Sequence, residues 1–185
     1  EHPATAGSYN NVASNLNAQG KYAEAEEGYR RALAIYRKVL GEEHPATATS
    51  YNNLAFHLTA QGKYAEAEEG FRKALATRLK ALGEEHPATA GSYNNVASNL
   101  NAQRKYAQAE EGYRKALAIR RKVLGEEHPE TAGSYNNLAA YLNGQGKYAE
   151  AEEDFRKALA IRRKVLGEEH PDTASSYNNL AAYLN

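Results

Sequence analysis

The sequence predicts an all-α fold, an α-solenoid in which antiparallel helix pairs stack into a right-handed superhelix. Two observations predict it. The segment EHPATAGSYNN at residue 1 returns with small changes every 42 residues, at residues 43, 85, 127 and 169. Within each copy, apolar residues recur at helical spacing on both sides of a short turn. A period of this length is typical of repeat proteins, because each unit buries its apolar face only against its neighbours.

The period also predicts the domain organisation. We expect a single array over residues 1–185, made of copies at 1–42, 43–84, 85–126 and 127–168 and a partial fifth copy at 169–185 that supplies a first helix only. We interpret the chain as a segment cut from a longer array. Each end would then present a face that normally packs on another copy, which suggests end-to-end self-association or helix exchange.

The second copy illustrates the elements that every copy contains. A first helix is predicted over residues 45–60, since Pro45 suits a first helical position and the apolar residues share one face. Gly62 is expected to end this helix in a left-handed turn. A longer second helix follows over residues 64–82 and ends at Gly83, and a short loop then leads to the next copy. The apolar positions are Tyr51, Leu54, Ala55 and Leu58 in the first helix and Tyr64, Ala67, Phe71, Ala74, Leu75 and Leu82 in the second.

One turn residue departs from this pattern. Arg104 stands where the other complete copies have Gly20, Gly62 and Gly146. A left-handed turn favours glycine, so we predict positive φ at Gly62 and either strain or a shifted turn at Arg104.

The composition disfavours several classes of function. Lysine and arginine number 23, as do aspartate and glutamate, so no net charge attracts the chain to nucleic acid or to an anionic membrane. There is no cysteine, which excludes disulfides and thiolate metal sites. No apolar run approaches the roughly 20 residues that a membrane span needs. We therefore expect a cytoplasmic protein without nucleic-acid or membrane partners.

The histidines of the repeated EHP triplets do not form a predicted metal site. Successive copies lie a full repeat apart, and no second ligand set with zinc spacing accompanies them. They are interpreted as residues at the entry to each first helix: His2, His44, His86, His128 and His170. Near-identical repeats also do not bring different residues to one point, so we expect no cofactor, no metal and no enzymatic activity.

The first helices carry the candidate binding face. Opposite their apolar stripe they present asparagine and no charged residue, whereas an exposed helix face is normally charged. The candidate peptide-binding residues are Asn10, Asn11, Asn17, Asn52, Asn53, Phe56, Asn94, Asn95, Asn101, Asn136, Asn137 and Asn143.

Asparagine chemistry supports two interpretations of this face. The side-chain amide both donates and accepts hydrogen bonds, so one asparagine per copy could hold an extended peptide by its backbone. Alternatively, the asparagine pairs could act as spacers that bond to neighbouring copies. Two adjacent asparagines cannot both point to the centre of one face, so we expect one of each pair to serve each purpose, and which one stays open.

Phe56 is the one aromatic residue at a position that is otherwise Ser14, Ser98, Ala140 and Ala182. It could anchor an apolar side chain of a ligand, or it could reflect neutral drift among duplicated copies.

The repeated residues resemble the tetratricopeptide repeat. The pattern of that family corresponds in the second copy to Tyr51, Leu54, Ala55, Leu58, Ala67, Phe71 and Ala74. The standard repeat has about 34 residues, and the 42-residue form here, with YNNLA, QGKYAEAE and LGEEHP, resembles the repeats of kinesin light chains, nephrocystin-3-like proteins and bacterial arrays attached to signalling ATPases. This resemblance implies that the first helices line a concave groove. The carboxylate-binding clamps of the family use lysine and arginine in that groove, and the first helices here have none, so capture of an acidic C-terminus is not expected.

The sequence therefore predicts a non-enzymatic scaffold that binds a peptide or protein segment in the concave groove. Two alternatives stay open. The array could be a self-associating structural spacer without a dedicated ligand, or it could form the sensor repeats of a larger signalling ATPase.

Overall fold

The computed structural model describes residues 2–184, with side chains through residue 182. Within that range the chain is a succession of α-helices joined by short turns, and the predicted all-α solenoid of helix pairs is confirmed. The helices are α1 (Pro3–Ala18), α2 (Tyr22–Leu40), α3 (Pro45–Ala60), α4 (Tyr64–Leu82), α5 (Pro87–Ala102), α6 (Tyr106–Leu124), α7 (Pro129–Gly144), α8 (Tyr148–Leu166) and α9 (Pro171–Leu184). In the fifth copy, the side chain of Leu184 and all of Asn185 lie outside the described residues.

The chain divides into two compact units. The first unit comprises residues 1–84 and the second residues 85–185, so the division coincides with the start of the third copy. In the first unit α1 packs on α2, α3 on α4, and α2 on α3. In the second unit α5 packs on α6, α7 on α8, α6 on α7, and α8 on α9. The single array over the whole chain stays a prediction.

Alanine lets the two helices of each pair approach closely. Ala55 on α3 and Ala67 on α4 are fully buried, as are Ala97 and Ala109 in the second unit. The aromatic residue of each second helix, such as Phe71 or Tyr113, then fills the space beside them. Every residue that carries the family resemblance in the second copy is buried, from Tyr51 to Ala74.

Each first helix begins at the histidine of the EHP triplet. His44 has an extended backbone, and its Nδ1 accepts a hydrogen bond from the backbone N–H of Ala46 at 3.1 Å. The same bond recurs at His2, His86, His128 and His170. These histidines are therefore helix N-caps, which agrees with their interpretation as helix-entry residues.

The turn inside each helix pair is a Schellman motif. In the second copy the N–H of Gly62 donates to the carbonyl of Thr59 at 3.0 Å, and the N–H of Lys63 donates to that of Leu58 at 2.9 Å. Gly62 has φ +74°, which confirms its predicted left-handed conformation. Arg104 has φ +61° with the same two bonds in its turn. The turn therefore keeps its geometry, and the strain predicted at Arg104 follows from a side chain held at positive φ.

The loop that leads from one copy to the next depends on glycine and on a buried threonine. Gly41, Gly83, Gly125 and Gly167 have φ between +84° and +90° with ψ between 166° and 171°, a region that only glycine adopts readily. Thr47 in α3 donates to the carbonyl oxygen of Gly41 at 2.7 Å, and Thr131 in α7 donates to that of Gly125 at 2.8 Å. These bonds satisfy the carbonyl of the glycine that ends α2 and of the one that ends α6.

Candidate functional site

Each unit has a pocket on the side of its first helices. The first-unit pocket lies between α1 and α3, has a volume of about 280 Å³, and is lined by Asn10, Asn11, Ser14, Asn17, Tyr29, Asn53, Phe56 and His57. The second-unit pocket lies between α5 and α7, has a volume of about 220 Å³, and is lined by Asn94, Ser98, Asn101, Tyr113, Asn137, Ala140 and Tyr141. The two pockets use equivalent positions of successive copies, and eight of the predicted site residues line one or the other.

The repeat builds these pockets in the same way in both units. Two successive first helices supply the walls, because their asparagines lie off the apolar stripe that packs on the second helix. A buried tyrosine from the second helix, Tyr29 or Tyr113, closes the base. No aspartate, glutamate, lysine or arginine lines either pocket.

The second helices offer a different kind of surface. A shallow depression of about 560 Å³ on α2 and a smaller one of about 190 Å³ between α2 and α4 contain charged side chains. Many of these charges are already paired, as in Glu26 with Arg30 at 2.8 Å and Glu69 with Lys73 at 2.7 Å. Such surface pairs contribute little to stability individually, and they favour a solvated face.

The asparagine pairs bond to each other between copies in the second unit. The Nδ2 of Asn137 donates to the Oδ1 of Asn94 at 2.9 Å, and the Nδ2 of Asn179 donates to the Oδ1 of Asn136 at 2.7 Å. We call such a pair, the first asparagine of one copy with the second asparagine of the next, a rung. In the fourth copy both members of the pair Asn136–Asn137 belong to rungs. Which asparagine of a pair would bind a ligand stays open.

The corresponding rung in the first unit is open. Asn10 and Asn53 hold the positions of Asn94 and Asn137, but the Oδ1 of Asn10 is buried and has no hydrogen-bond partner. An amide oxygen that is shielded from water without a partner is costly, typically by about 1–3 kcal/mol. This pocket therefore contains an acceptor with an unfilled hydrogen bond.

The remaining predicted residues have varied environments. Asn17 accepts a hydrogen bond from His57, whereas Asn101 lines the second-unit pocket and Asn143 is half-buried. Asn11 is exposed at the rim of the first-unit pocket, and Asn52 and Asn95 are half-buried.

His57 is buried beside the first-unit pocket, with only 3% of its surface exposed. Its Nδ1 lies 2.8 Å from the Oδ1 of Asn17, an oxygen that can only accept a hydrogen bond, and its Nε2 contacts the side-chain amide of Gln61. Its ring packs on that of Tyr29, with centroids 5.4 Å apart. Burial lowers the pKa of His57, and the charge of Lys63 lowers it further, against the opposing attraction of Glu26.

Tyr141 takes the equivalent position in the second unit. Its hydroxyl donates to the backbone carbonyl of Tyr106 at 2.8 Å, and its ring lies 5.4 Å from that of Tyr113. In the third copy the same position is Asn99, which is buried and accepts from Gln103 at 2.7 Å. The position is therefore a buried polar contact in each of these copies, although its residue changes.

Two arginines of the second helices reach the first helices, which the sequence had not indicated. The Nη1 of Arg120 donates to the Oγ of Ser134 at 2.8 Å and to the carbonyl oxygen of Glu130 at 3.3 Å. Arg162 makes the matching bonds to Ser176 and Asp172. The Nε of Arg162 is buried without a hydrogen-bond partner, whereas that of Arg120 lies 3.4 Å from the carboxylate of Glu130. Burial lowers the pKa of Arg120. Cations therefore lie near the first turn of α7 and α9, outside the two pockets. The recurrence of arginine at residues 78, 120 and 162 is the sequence feature that could have indicated these contacts.

Two further findings bear on metals and membranes. Within residues 2–184, no three histidine, aspartate or glutamate side chains come together as a candidate metal site. No helix in the described part of the chain is long and apolar enough to cross a membrane.

Comparison with known proteins identifies the class to which this fold and this face belong. Two tetratricopeptide repeat models match the chain, one over residues 4–80 and 48–103 and the other over residues 89–130 and 131–172. The chain therefore belongs to the tetratricopeptide repeat family, as its residues indicated. Repeats of this family generally mediate protein–protein interactions.

Three of the similar solved structures have kinesin-light-chain-like repeats. Two crystal structures show the nearly identical TPR-like repeats of a Podosopora anserina protein assigned as a kinesin light chain, one of them as a single-substitution variant. Both are 32% identical to this chain, and each alignment covers 99% of this chain. The alignment covers 86% of the variant, with a TM-score of 0.83, and 87% of the other protein, with a TM-score of 0.81. The third is BtubC (BKLC) from P. vanneervenii, which is 28% identical, with 93% of this chain and 68% of that chain covered and a TM-score of 0.80. No curated protein matches the chain.

Proposed function

We propose that the chain is a non-enzymatic scaffold that binds a peptide or protein segment along the asparagine-lined face of its first helices, in a concave groove. The observation that carries the proposal is the recurrence of one uncharged, amide-walled pocket at equivalent positions of both units. A peptide backbone offers one donor and one acceptor per residue, and the asparagine side chain matches both.

The rungs support this proposal and also limit it. An asparagine that bonds to its neighbour, such as Asn94, must give up or share that bond to hold a ligand. The cost is modest, since a hydrogen bond between neutral groups contributes about 0.5–1.5 kcal/mol net. An extended segment could therefore exchange bonds with successive rungs while its side chains occupy the pockets between them.

Two other functions are alternatives to this proposal, and the peptide-display selection described below tests them as well. The array could be a spacer that associates end to end or exchanges helices, or it could form the sensor repeats of a larger signalling ATPase. No cofactor is part of the proposal, and we take the location of the protein to be cytoplasmic, as expected from its cysteine-free sequence.

A peptide-display selection tests the proposal. A random peptide library is selected on the parent chain and counter-selected on a variant in which Asn10, Asn52, Asn94 and Asn136 are all alanine, after circular dichroism has shown that the variant keeps its helices. We expect peptides that bind the parent and not the variant. Peptides that bind both equally would place recognition elsewhere, and an empty selection would favour the spacer or sensor function.

A further inference from the structure

The first-unit pocket has an exposed aromatic side chain, Phe56, at a position where the second-unit pocket has alanine. Phe56 is 50% exposed, and its ring meets the edge of the Phe71 ring at a centroid distance of 5.1 Å and an angle of 80°. Phe71 is only 2% exposed, so it holds Phe56 in place from below. A half-exposed aromatic ring that is fixed in this way loses little freedom when a ligand packs on it. The second-unit pocket has Ala140 at this position.

The same pocket has polar groups ready for a peptide backbone. The Oδ1 of Asn10 is buried and unbonded, although the same atom of Asn94 accepts from Asn137 in the second unit. Because this oxygen has no bond within the protein to break, rotation of the Asn10 side chain could present it to a backbone N–H of a ligand. The amide of Asn53 lines the pocket with it and can donate to a neighbouring carbonyl of the ligand.

The absence of charged side chains in the pocket lining restricts which ligand side chains can bind there. The lining contains no aspartate, glutamate, lysine or arginine, and burial favours the uncharged form of His57. A charged ligand side chain would lose water here without gaining a partner. At about 280 Å³ the pocket is slightly below the 300 Å³ or so of small-molecule sites, which suits one large side chain.

We infer that the first-unit pocket is the specificity site of the array, and that it binds an extended, locally uncharged peptide segment at one bulky apolar residue. The side chain of that residue packs on Phe56, while its backbone bonds to Asn10 and Asn53. This inference rests on the proposed function and names the ligand class for one pocket. The second unit contributes general backbone contacts and little selection of side chains.

Peptides enriched on the parent chain are the probe for this inference. They are synthesised, and their Kd values are measured by isothermal titration calorimetry on the parent and on three single variants, Phe56→Ala, Asn53→Ala and Asn137→Ala. We expect a shared leucine, phenylalanine or tryptophan in the enriched sequences. Phe56→Ala should weaken binding about tenfold or more, as loss of a central aromatic contact typically does. Asn53→Ala should weaken it about threefold to tenfold, in the range of one lost hydrogen bond.

Asn137→Ala is the matched control, because it changes the same position in the second unit. We expect it to weaken binding less than Asn53→Ala does, by about twofold to threefold, because the amide of Asn137 is already bonded to Asn94. Phe56→Ala is expected to fold, since the other copies carry serine or alanine at this position, and a circular dichroism melting curve checks this for each variant.

The outcomes separate the two proposals. Enriched peptides that depend on the asparagines but bind Phe56→Ala as tightly as the parent would overturn this inference and leave the proposed function standing. Equal losses in Asn53→Ala and Asn137→Ala would also overturn it, because both units would then contribute alike. An empty selection would overturn both.

Discussion

The first and second units contain nearly the same residues at their pockets and reach different hydrogen-bonded states. Asn94 and Asn137 form a closed rung, whereas the identical residues Asn10 and Asn53 leave the Oδ1 of Asn10 buried and unbonded. The side chains that differ are those next to the rung: Phe56 and His57 in the first unit, and Ala140 and Tyr141 in the second. In a repeat array, function can therefore differ between copies whose candidate ligand-binding residues are identical.

His57 in the first unit and Tyr141 in the second occupy equivalent positions but make different buried contacts. Tyr141 bonds to the backbone of the preceding copy. His57, on α3, bonds instead to the side chain of Asn17 on α1 and to that of Gln61 in the turn after α3. Both rings pack at 5.4 Å on the tyrosine below them. The second unit is therefore stabilised here mainly by ring packing, and the first by a polar network that depends on a neutral imidazole.

Removal of these side chains should have the largest effect. Tyr141→Ala deletes a buried ring and should lower the free energy of unfolding by about 3–5 kcal/mol, as other large aromatic truncations do. His57→Ala removes less apolar volume and takes away the bonds that Asn17 and Gln61 make to the imidazole, so about 1–3 kcal/mol is expected. Urea unfolding followed by circular dichroism measures both.

Hydrogen exchange of the two variants locates each loss. Protection should fall in α6 and α7 for Tyr141→Ala and in α2 and α3 for His57→Ala. If His57→Ala costs as much as Tyr141→Ala, the polar network in the first unit is stronger than its geometry indicates.

A smaller change is expected at the turn that differs between the units. Arg104→Gly relieves a side chain at φ +61° and should stabilise the protein by about 1 kcal/mol. Gly62→Ala at the equivalent turn should destabilise it by about the same amount. A Cβ at Gly62 would meet no atom within 4 Å, so the cost there comes from the backbone conformation and not from a clash. Thermal unfolding should show shifts of opposite sign, and a loss of stability in Arg104→Gly would mean that the side chain makes a favourable contact.

The smallest expected effect is a dependence on pH that only the first unit shows at this position. Because burial lowers the folded-state pKa of His57 below its ordinary 6.5, the unfolded state takes up a proton more readily. The contribution of His57 to stability is therefore constant above pH 6.5 and falls as the pH drops through the window between 6.5 and the lower folded-state pKa. The charged groups that act on His57 are Glu26 and Arg30 of α2 and Lys63 of the turn after α3.

His57→Tyr provides the control, since it copies the residue of the fourth copy. Hydrogen exchange in α2 and α3 should increase on acidification from pH 7 to pH 5 in the parent, after correction for the intrinsic rate, and the increase should be smaller in His57→Tyr. An equal response in both would assign the pH dependence to other groups.

Much of the fold could be predicted from the sequence because the signals are local and repeated. The predicted helices over residues 45–60 and 64–82 have the same bounds in the structure. Pro45 begins the first of them, the turn at Gly62 follows its end, and Gly83 ends the second. Positive φ at Gly62 was also predictable, because a turn of this kind favours glycine. Each of these features depends on a few neighbouring residues, and the same residues recur in successive copies.

The candidate site was predictable only in part. The uncharged face of the first helices was visible in the sequence, and both pockets lie on it. The approach of Arg120 to Ser134 was not predicted, because a residue assigned to the second helix reaches the first helix of the next copy. Phe56 was noticed as an exception, but its contact with Phe71 depends on how α3 and α4 pack.

The sequence alone determined the helices, their caps and turns, and the family, since hydrophobic spacing and backbone conformation are properties of short segments. The tertiary structure decided which amides are satisfied and which are left open. Asn10 and Asn94 occupy identical positions in closely similar segments, so the packing of neighbouring copies determines whether each oxygen has a partner.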